Sequence, residues 1–301
     1  MEFHDLEVFI TVAREKSFSK AAKIMLRTQP AISLSIRRLE DEFNEKLFDR
    51  SSKEPQITYE GEILFQYAQK LLNMKSEVFQ AINEVQELHR GHLKIAANEI
   101  SVLPLLEHLS IFHRQYPKIF IEIMRHNSRD IPRLLNNHEV DFGVISYNIP
   151  DPNFESTLLF EDRICCVAYP DHDLARQDVV YSIKRLRNEK FAAHQSQSYY
   201  RNQVETLFDR YQVPLNIDIE LPNIESIKIF IENKNAIVLL PLITVEPELK
   251  KGILKEIKIE ETAEISLERK IQLIYRKSSN LSHSARAFIS AVEAEAEKRF
   301  N

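Results

Sequence analysis

The spacing of apolar positions changes rhythm along the chain, and each rhythm predicts a different kind of element. Phe3, Leu6, Phe9, Ile10 and Ala13 recur at helical steps, which predicts a first helix over Phe3 to Glu15. Ser17 is a favoured N-cap, so a second helix is expected from Phe18 to Met25, with Ala21, Ala22 and Met25 turned inward. Thr28 can cap a third helix. Pro30 fits its first turn, where the backbone N–H has no intrahelical partner. Ala31, Ile32, Leu34, Ile36 and Leu39 give that helix more than one apolar face, with Ser33, Ser35, Arg37 and Arg38 opposite. Leu47 and Phe48 read as a core edge, Ser51 to Gln56 as a polar turn and Ile57 as the start of a return strand. Two short helices joined by a tight turn and followed by a small hairpin make a winged helix-turn-helix.

A second rhythm begins at Tyr59. Leu64, Tyr67, Leu71, Met74, Val78, Ala81, Val85 and Leu88 follow steps of three and four, with no proline up to His89. That is a heptad seam on one long helix, suited to a partner helix, and Gly91 ends it. Beyond it, short apolar runs alternate with helical ones. Strands are expected at Leu93–Ala97, Ile119–Met124 and DFGVIS, separated by helices over Val102–Gln115 and Asp130–Asn137. A second set follows: RICCVAY, a helix over about 200–211, IDIEL, a helix over Ile224–Ile231, NAIVLLP, ILKEIKI, RKIQLIY and a C-terminal helix over Ser284–Lys298. Strand–helix alternation of this kind predicts α/β units with parallel pairing.

Charge adds the first chemical signal. The formal net charge is -5, yet Arg14, Lys16, Lys20, Lys23, Arg27, Arg37 and Arg38 crowd one span whose only acid is Glu15. A basic block on short helices suits a polyanion partner, and DNA fits the pattern around it. A helix N-terminus favours phosphate, Gln29 can read adenine, Ser33 suits several base edges, and arginines can hold the backbone. No basic start followed by an apolar run appears, and no apolar stretch reaches membrane-spanning length, so a cytoplasmic location without membrane association is expected.

Read together, LEVFITVAREKSFSKAAKIMLRTQPAISLSIRRLEDEF, LFDR and ITYEG resemble the winged helix-turn-helix of LysR-type transcriptional regulators. Phe9, Ser17, Phe18, Ala21, Ala22, Gln29, Pro30, Ala31, Ser33, Leu39, Glu40, Leu47, Phe48, Arg50, Thr58 and Gly61 fit the family pattern. The departures are mild. Asn44 or its neighbours stand where the family has glycine, Lys53 where the wing often has arginine, and Leu34 where a polar residue is common. The match is looser after Gly91 but continues through YPDHDLA.

The resemblance implies an α/β protein in three parts. A winged helix-turn-helix DNA-binding domain would occupy residues 1–58 and a linker helix 59–90. A two-subdomain, periplasmic-binding-protein-like effector domain would occupy 91–301, with subdomain I at about 91–162 and 267–301 and subdomain II at about 163–266. Thr28, Gln29, Pro30, Ser33, Leu34, Arg37, Arg38, Arg50 and Lys53 would meet double-stranded operator DNA. The linker would pair subunits into a dimer or tetramer. Ligands of α/β sheets bind at strand carboxyl ends and helix N-termini. That rule picks Asn98, Ser101, Ser128 and Ser146 from one subdomain and Gln195, Ser196, Gln197 and Ser198 from the other, for a small polar or anionic effector. Ser101 and Ser198 can each equally be simple helix caps.

Rival readings find less support. The ten histidines lack metal-ligand spacing: His108 and His113, for example, stand five apart. Only four glycines are present, and no phosphate loop or G-x-S-x-G occurs, so neither catalysis nor a cofactor is expected. A ligand-binding protein without a regulatory role leaves the N-terminal pattern unexplained. Redox sensing through Cys165 and Cys166 is a further alternative. Adjacent strand residues point to opposite faces, which favours packing.

Overall fold

The computed structural model describes residues 1–52, 54–86, 91–194, 199–233, 236–261, 268–277 and 281–300. Helices α1 (Phe3–Glu15), α2 (Phe18–Ile24) and α3 (Gln29–Phe43) pack around Phe9, Val12, Ala21, Ile32, Ile36 and Leu39. Ser17 caps α2 as expected, its hydroxyl accepting from Lys20 N–H at 3.2 Å. Thr28 occupies the cap position of α3 but makes no side-chain cap bond there. The turn between α2 and α3 closes through Leu26 N–H to Lys23 O (3.2 Å) and Arg27 N–H to Ala22 O (2.9 Å). This is the glycine-type helix stop, built on Leu26 at φ 53°. Asn44 ends α3 at φ 54°, so asparagine takes the left-handed position that the family gives to glycine.

The hairpin β1 (Phe48–Asp49) and β2 (Gln56–Ile57) is antiparallel. Gly61 lies close beneath it. A Cβ there would stand 2.4 Å from Leu47 O, so the wing and the next helix can meet only at glycine. Helix α4 (Tyr59–Gln86) then leaves the domain, its first turns half-buried on the N-terminal core through Leu64, Phe65, Leu71 and Leu72. Two of the expected seam positions, Leu64 and Leu71, therefore serve their own subunit's core. Tyr67, Met74 and Val78 are exposed, and Leu88 lies outside the described residues.

The remainder forms two α/β lobes joined by a shared sheet in the order β4 (Ile119–Arg125), β3 (Gly91–Ala97), β5 (Phe142–Ile145), β12 (Glu268–Arg276), β6 (Phe154–Ala168), β11 (Lys255–Ile259) and β7 (Val180–Tyr181). In the first lobe, β3 (Gly91–Ala97) pairs in parallel with β4 (Ile119–Arg125) and β5 (Phe142–Ile145), with α5 (Leu105–Gln115) and α6 (Ile131–Asn136) between them. Helix α5 starts three residues later than expected, because a turn held by Asn98 precedes it.

Strand β6 (Phe154–Ala168) begins well before the expected RICCVAY. It pairs with β12 (Glu268–Arg276) as far as Arg163, then with β10 (Val238–Pro241) and β11 (Lys255–Ile259). β6 and β12 are thus the strands that cross between the lobes. The second lobe adds α7 (Asp173–Arg176), β7 (Val180–Tyr181), a 3-10 turn (Ile183–Asn188), β8 (Phe191–His194), α8 (Tyr199–Arg210), β9 (Ile217–Leu221), α9 (Ile224–Glu232) and α10 (Leu242–Lys251). Helix α11 (His283–Phe300) returns to cover the first lobe, where Phe288 meets Phe112 and Phe142. Among the described residues no helix is long and apolar enough to cross a membrane.

Helix α4 is also tied to the first lobe. Glu77 accepts from Arg276 at 3.1 Å and meets His138 Nδ1 at 2.5 Å, while Asn73 donates to Asn137 O at 2.8 Å. Beside this joint, Asp141 receives Lys94 N–H at 2.8 Å, and burial pushes its carboxyl up to about 6. The unfolded chain gives up that proton near the ordinary value of about 3.9, so stability falls as pH rises from about 4 to about 6. Asp141→Asn keeps an acceptor for Lys94 and should flatten that fall, raising stability at pH 7 by about 1–3 kcal/mol. Urea midpoints at pH 4.5 and 7 check it; an unchanged pH slope contradicts it.

Candidate functional site

Two surfaces collect the expected site residues. On the first, Gln29, Ser33 and Arg37 lie four residues apart along one face of α3. Thr28, Gln29, Pro30, Leu34 and Arg37 are exposed and Ser33 is half-buried. Gln29 is steadied by Ser19, whose hydroxyl donates to its Oε1 at 3.3 Å. Among the described residues Arg37 has only a loose contact, with Asp41 at 3.8 Å, so its guanidinium is available to a phosphate. Ser35, expected opposite the core, is buried and accepts from Arg38 at 3.0 Å.

Arg38 and Arg50 turn out to be committed residues. Arg38 binds Asp5 at 2.5 Å. Burial alone would raise the Asp5 carboxyl, but hydrogen bonds from Arg38 and Ser35 outweigh it and leave the group below its usual range. Arg50 donates to buried Glu40 at 3.1 Å and stacks over the Phe18 ring at 5.1 Å. Glu40 also accepts Leu47 N–H at 3.1 Å, so one carboxylate fastens the wing to α3. Both arginines stay half-exposed and keep donors towards solvent. Lys53 lies outside the described residues.

The second surface is a cleft of about 580 Å³ between the two lobes. Asn98, Ser128, Ser146 and Tyr147 line it from the first lobe, His194, Tyr199 and Asn202 from the second, and Arg269 from the crossover strand β12. Asn98 organises the near wall. Its Oδ1 accepts Ile100 N–H (2.9 Å) and Ser101 N–H (2.7 Å), and its Nδ2 donates to Ser128 Oγ at 2.7 Å. Ser101 does not reach the cleft. It is fully buried, donates to Val144 O at 3.2 Å and accepts Asn98 N–H at 3.1 Å. It is not a cap of α5 either, since Pro104 holds that position. Its place in the structure is to hold Asn98. Gln195, Ser196, Gln197 and Ser198 lie outside the described residues.

The pattern of strands and turns did not single out the charged lining. Arg125 pairs with Glu99 at 3.2 Å, and Glu99 reaches across the cleft to accept Ile224 N–H at the start of α9 (3.0 Å), with His194 Nε2 at 3.7 Å. Burial lowers the His194 pKa despite that carboxylate. Arg129 and Arg269 add two more cations and Asp130 one more acid. Cys165 and Cys166 are buried away from this cleft, and burial pushes both thiols far above their ordinary value, so neither supplies thiolate at neutral pH.

Residues 3–62 match the model of the "Bacterial regulatory helix-turn-helix protein, lysR family", and residues 86–297 match the "LysR substrate binding domain". The chain belongs to the LysR family. It is a LysR-type transcription regulator: a helix-turn-helix joined to an effector-binding domain that responds to a small molecule.

Among relatives of the regulator, the "Probable RuBisCO transcriptional regulator" of Cyanophora paradoxa is 30% identical over 290 residues, covering 94% of this chain and 88% of that one. The protein of the same name from Gracilaria tenuistipitata var. liui is 28% identical, covering 94% and 93%. CbnR, a LysR family transcriptional regulator, superposes with a TM-score of 0.71 at 16% identity, covering 98% of this chain and 99% of that one. The regulatory domain of Synechocystis PCC6803 CcmR, solved in complex with 2-PG, superposes with a TM-score of 0.62 at 23% identity, covering 69% of this chain and 98% of that one. These structures share the LysR regulator's fold.

Proposed function

We propose that this LysR regulator reads operator DNA with the exposed face of α3, that Arg37, Arg38, Arg50 and Lys53 hold phosphates, and that a small anionic metabolite in the inter-lobe cleft sets its activity. The DNA-binding domain is taken as residues 1–58, the linker helix as 59–90 and the effector domain as 91–301. The protein works as a cytoplasmic dimer or tetramer paired through α4 and has no catalytic activity of its own.

One observation carries the effector reading. The cleft brings hydroxyls and amides from both lobes to face each other beside the guanidinium groups of Arg125, Arg129 and Arg269, donors suited to an anion. A ligand that touches both walls favours the closed arrangement by its differential affinity for it. The RuBisCO regulators among its relatives and the 2-PG of the CcmR complex supply the first target promoter and the first ligand to try.

Calorimetry of 2-PG and a panel of small carboxylates and phosphates against wild type, Ser128→Ala and Ser146→Ala tests the site. Each substitution removes one hydroxyl, so a bound member of the panel should weaken about 5-fold, the effect of roughly 1 kcal/mol. A ligand held equally well by wild type and both variants would place the site elsewhere.

A further inference from the structure

Arg269 occupies an unusual position for a cation. It sits on β12 directly across from Asp162 on β6, in register, and donates from Nη1 to Asp162 Oδ2 at 2.9 Å. Both side chains are almost wholly buried, Arg269 at 2% and Asp162 at 6% exposure. Asp162 Oδ1 is also engaged, by Ile243 N–H of α10 at 3.2 Å. The pair therefore rests on the two crossover strands and touches the second lobe. Yet Arg269 also lines the cleft, its guanidinium carbon 6.0 Å from the centre of the Tyr200 ring, and its Nε–H has no hydrogen-bond partner among the described residues.

A buried guanidinium donor without an acceptor is costly, because a charged group loses water and receives nothing in return. Asp162 compensates one edge of Arg269. The Nε–H itself is enclosed, while the residue as a whole forms part of the wall of a cleft that is open to a small ligand. The neighbouring cations are occupied differently: Arg125 is paired with Glu99 at the rim. Arg269 is the cleft cation fixed most rigidly, held by packing, by a cross-strand carboxylate and by an aromatic face. Such preorganisation is what recognition of a single oxo-anion group needs.

We propose that Arg269 is the specificity-determining residue of the cleft: its guanidinium reads a carboxylate or phosphate group of the effector, while Asp162 positions it from behind. This rests on the effector reading above. It adds the residue that reads the anion and narrows the recognised group to a carboxylate or phosphate. Asp162 also caps the start of α10 and Arg269 lies on a crossover strand, so an anion seated there acts on the elements that join the lobes.

The test observes the site itself. Arginine Nε–H and asparagine side-chain amide signals are followed by ¹H–¹⁵N spectroscopy of the full chain, titrated with inorganic phosphate and with acetate at constant ionic strength, and with neutral glycerol as control. Arg269→Lys, which keeps a cation for Asp162 but lacks Nε–H, identifies the Arg269 signal. Asp162→Asn/Arg269→Gln, which removes both charges, does the same if the lysine variant does not fold. The Arg269 signal should move saturably with either anion and stay still with glycerol. Apparent affinity, read from the Asn98 and Asn202 amides, should fall tenfold or more in the variant. If those amides move with the anions while Arg269 stays still, the Arg269 assignment is wrong and the cleft reading stands. If no cleft signal moves with any anion, the anionic cleft reading falls, and the assignment with it.

Discussion

Val78→Glu/Ile82→Glu is expected to leave a folded monomer that has lost most of its DNA affinity. Once α4 has packed Leu64 and Leu71 against the N-terminal core, Ile63, Tyr67, Met74, Val78 and Ile82 remain exposed along one side of the helix. Tyr67 is 65% exposed and Val78 56%. A contiguous apolar stripe on a long helix marks an interaction face. In a symmetric pair, residues near the two-fold axis meet their own copies.

Two unpaired carboxylates buried per subunit there cost at least about 3 kcal/mol, a weakening of self-association of about 100-fold or more. DNA binding falls further, since a dimer on two half-sites gains about 10²- to 10⁴-fold from linkage. The substitutions lie on exposed positions, so the fold should survive. Sedimentation velocity decides the matter: a dimer of unchanged stability would remove α4 from the interface. Leu71, a natural choice from the heptad spacing alone, is a poorer probe because a charge there would also damage the subunit's own core.

Asp162→Ala should cause the largest loss of stability of any single change at the cleft. It leaves the Arg269 guanidinium buried without a counter-charge and frees Ile243 N–H at the start of α10. Breaking one side of a buried pair costs about 3–5 kcal/mol. Asp162→Leu/Arg269→Met, which removes both charges, should recover much of that. Urea unfolding of the three proteins is the check. A loss below about 1 kcal/mol for Asp162→Ala would mean that water or a neighbouring carboxylate reaches Arg269 and that the pair is not the anchor described.

How much of this was legible depended on whether the deciding interaction was local. The Ser17 cap, Pro30 in the first turn of α3, Asn44 at the left-handed helix end and the short hairpin are all fixed by residues a few places apart, and all appear where the pattern put them. The roles of Arg38 and Arg50 were not legible. Their partners, Asp5 and Glu40, stand 33 and 10 positions away, and only packing brings them together. Helix α10 escaped because Pro247 interrupts its interior and its start abuts the strand ending at Pro241. The first half of β6 escaped because FESTLLF buries only Leu159 and leaves its other positions exposed or half-buried, with no alternation. At the cleft, strand ends pointed to Asn98, Ser128 and Ser146, which do line it. Ser101 follows the same strand but turns inward to Val144. Arg269 gave no signal, since a basic residue in a strand reads as solvent-facing until its partner across the sheet is known.

The central claim is that α3 reads DNA sequence. The most direct measurement is selection and sequencing of fragments of the source genome retained by wild type and by Gln29→Ala under identical salt. Wild type should enrich a small set sharing one sequence with two-fold symmetry. Gln29→Ala should lose about 1–3 kcal/mol on that set and relax the preference at the contacted base, while its binding to random fragments stays near wild type. Equal enrichment of the same sequences by both proteins, or no enrichment by wild type, would contradict the account.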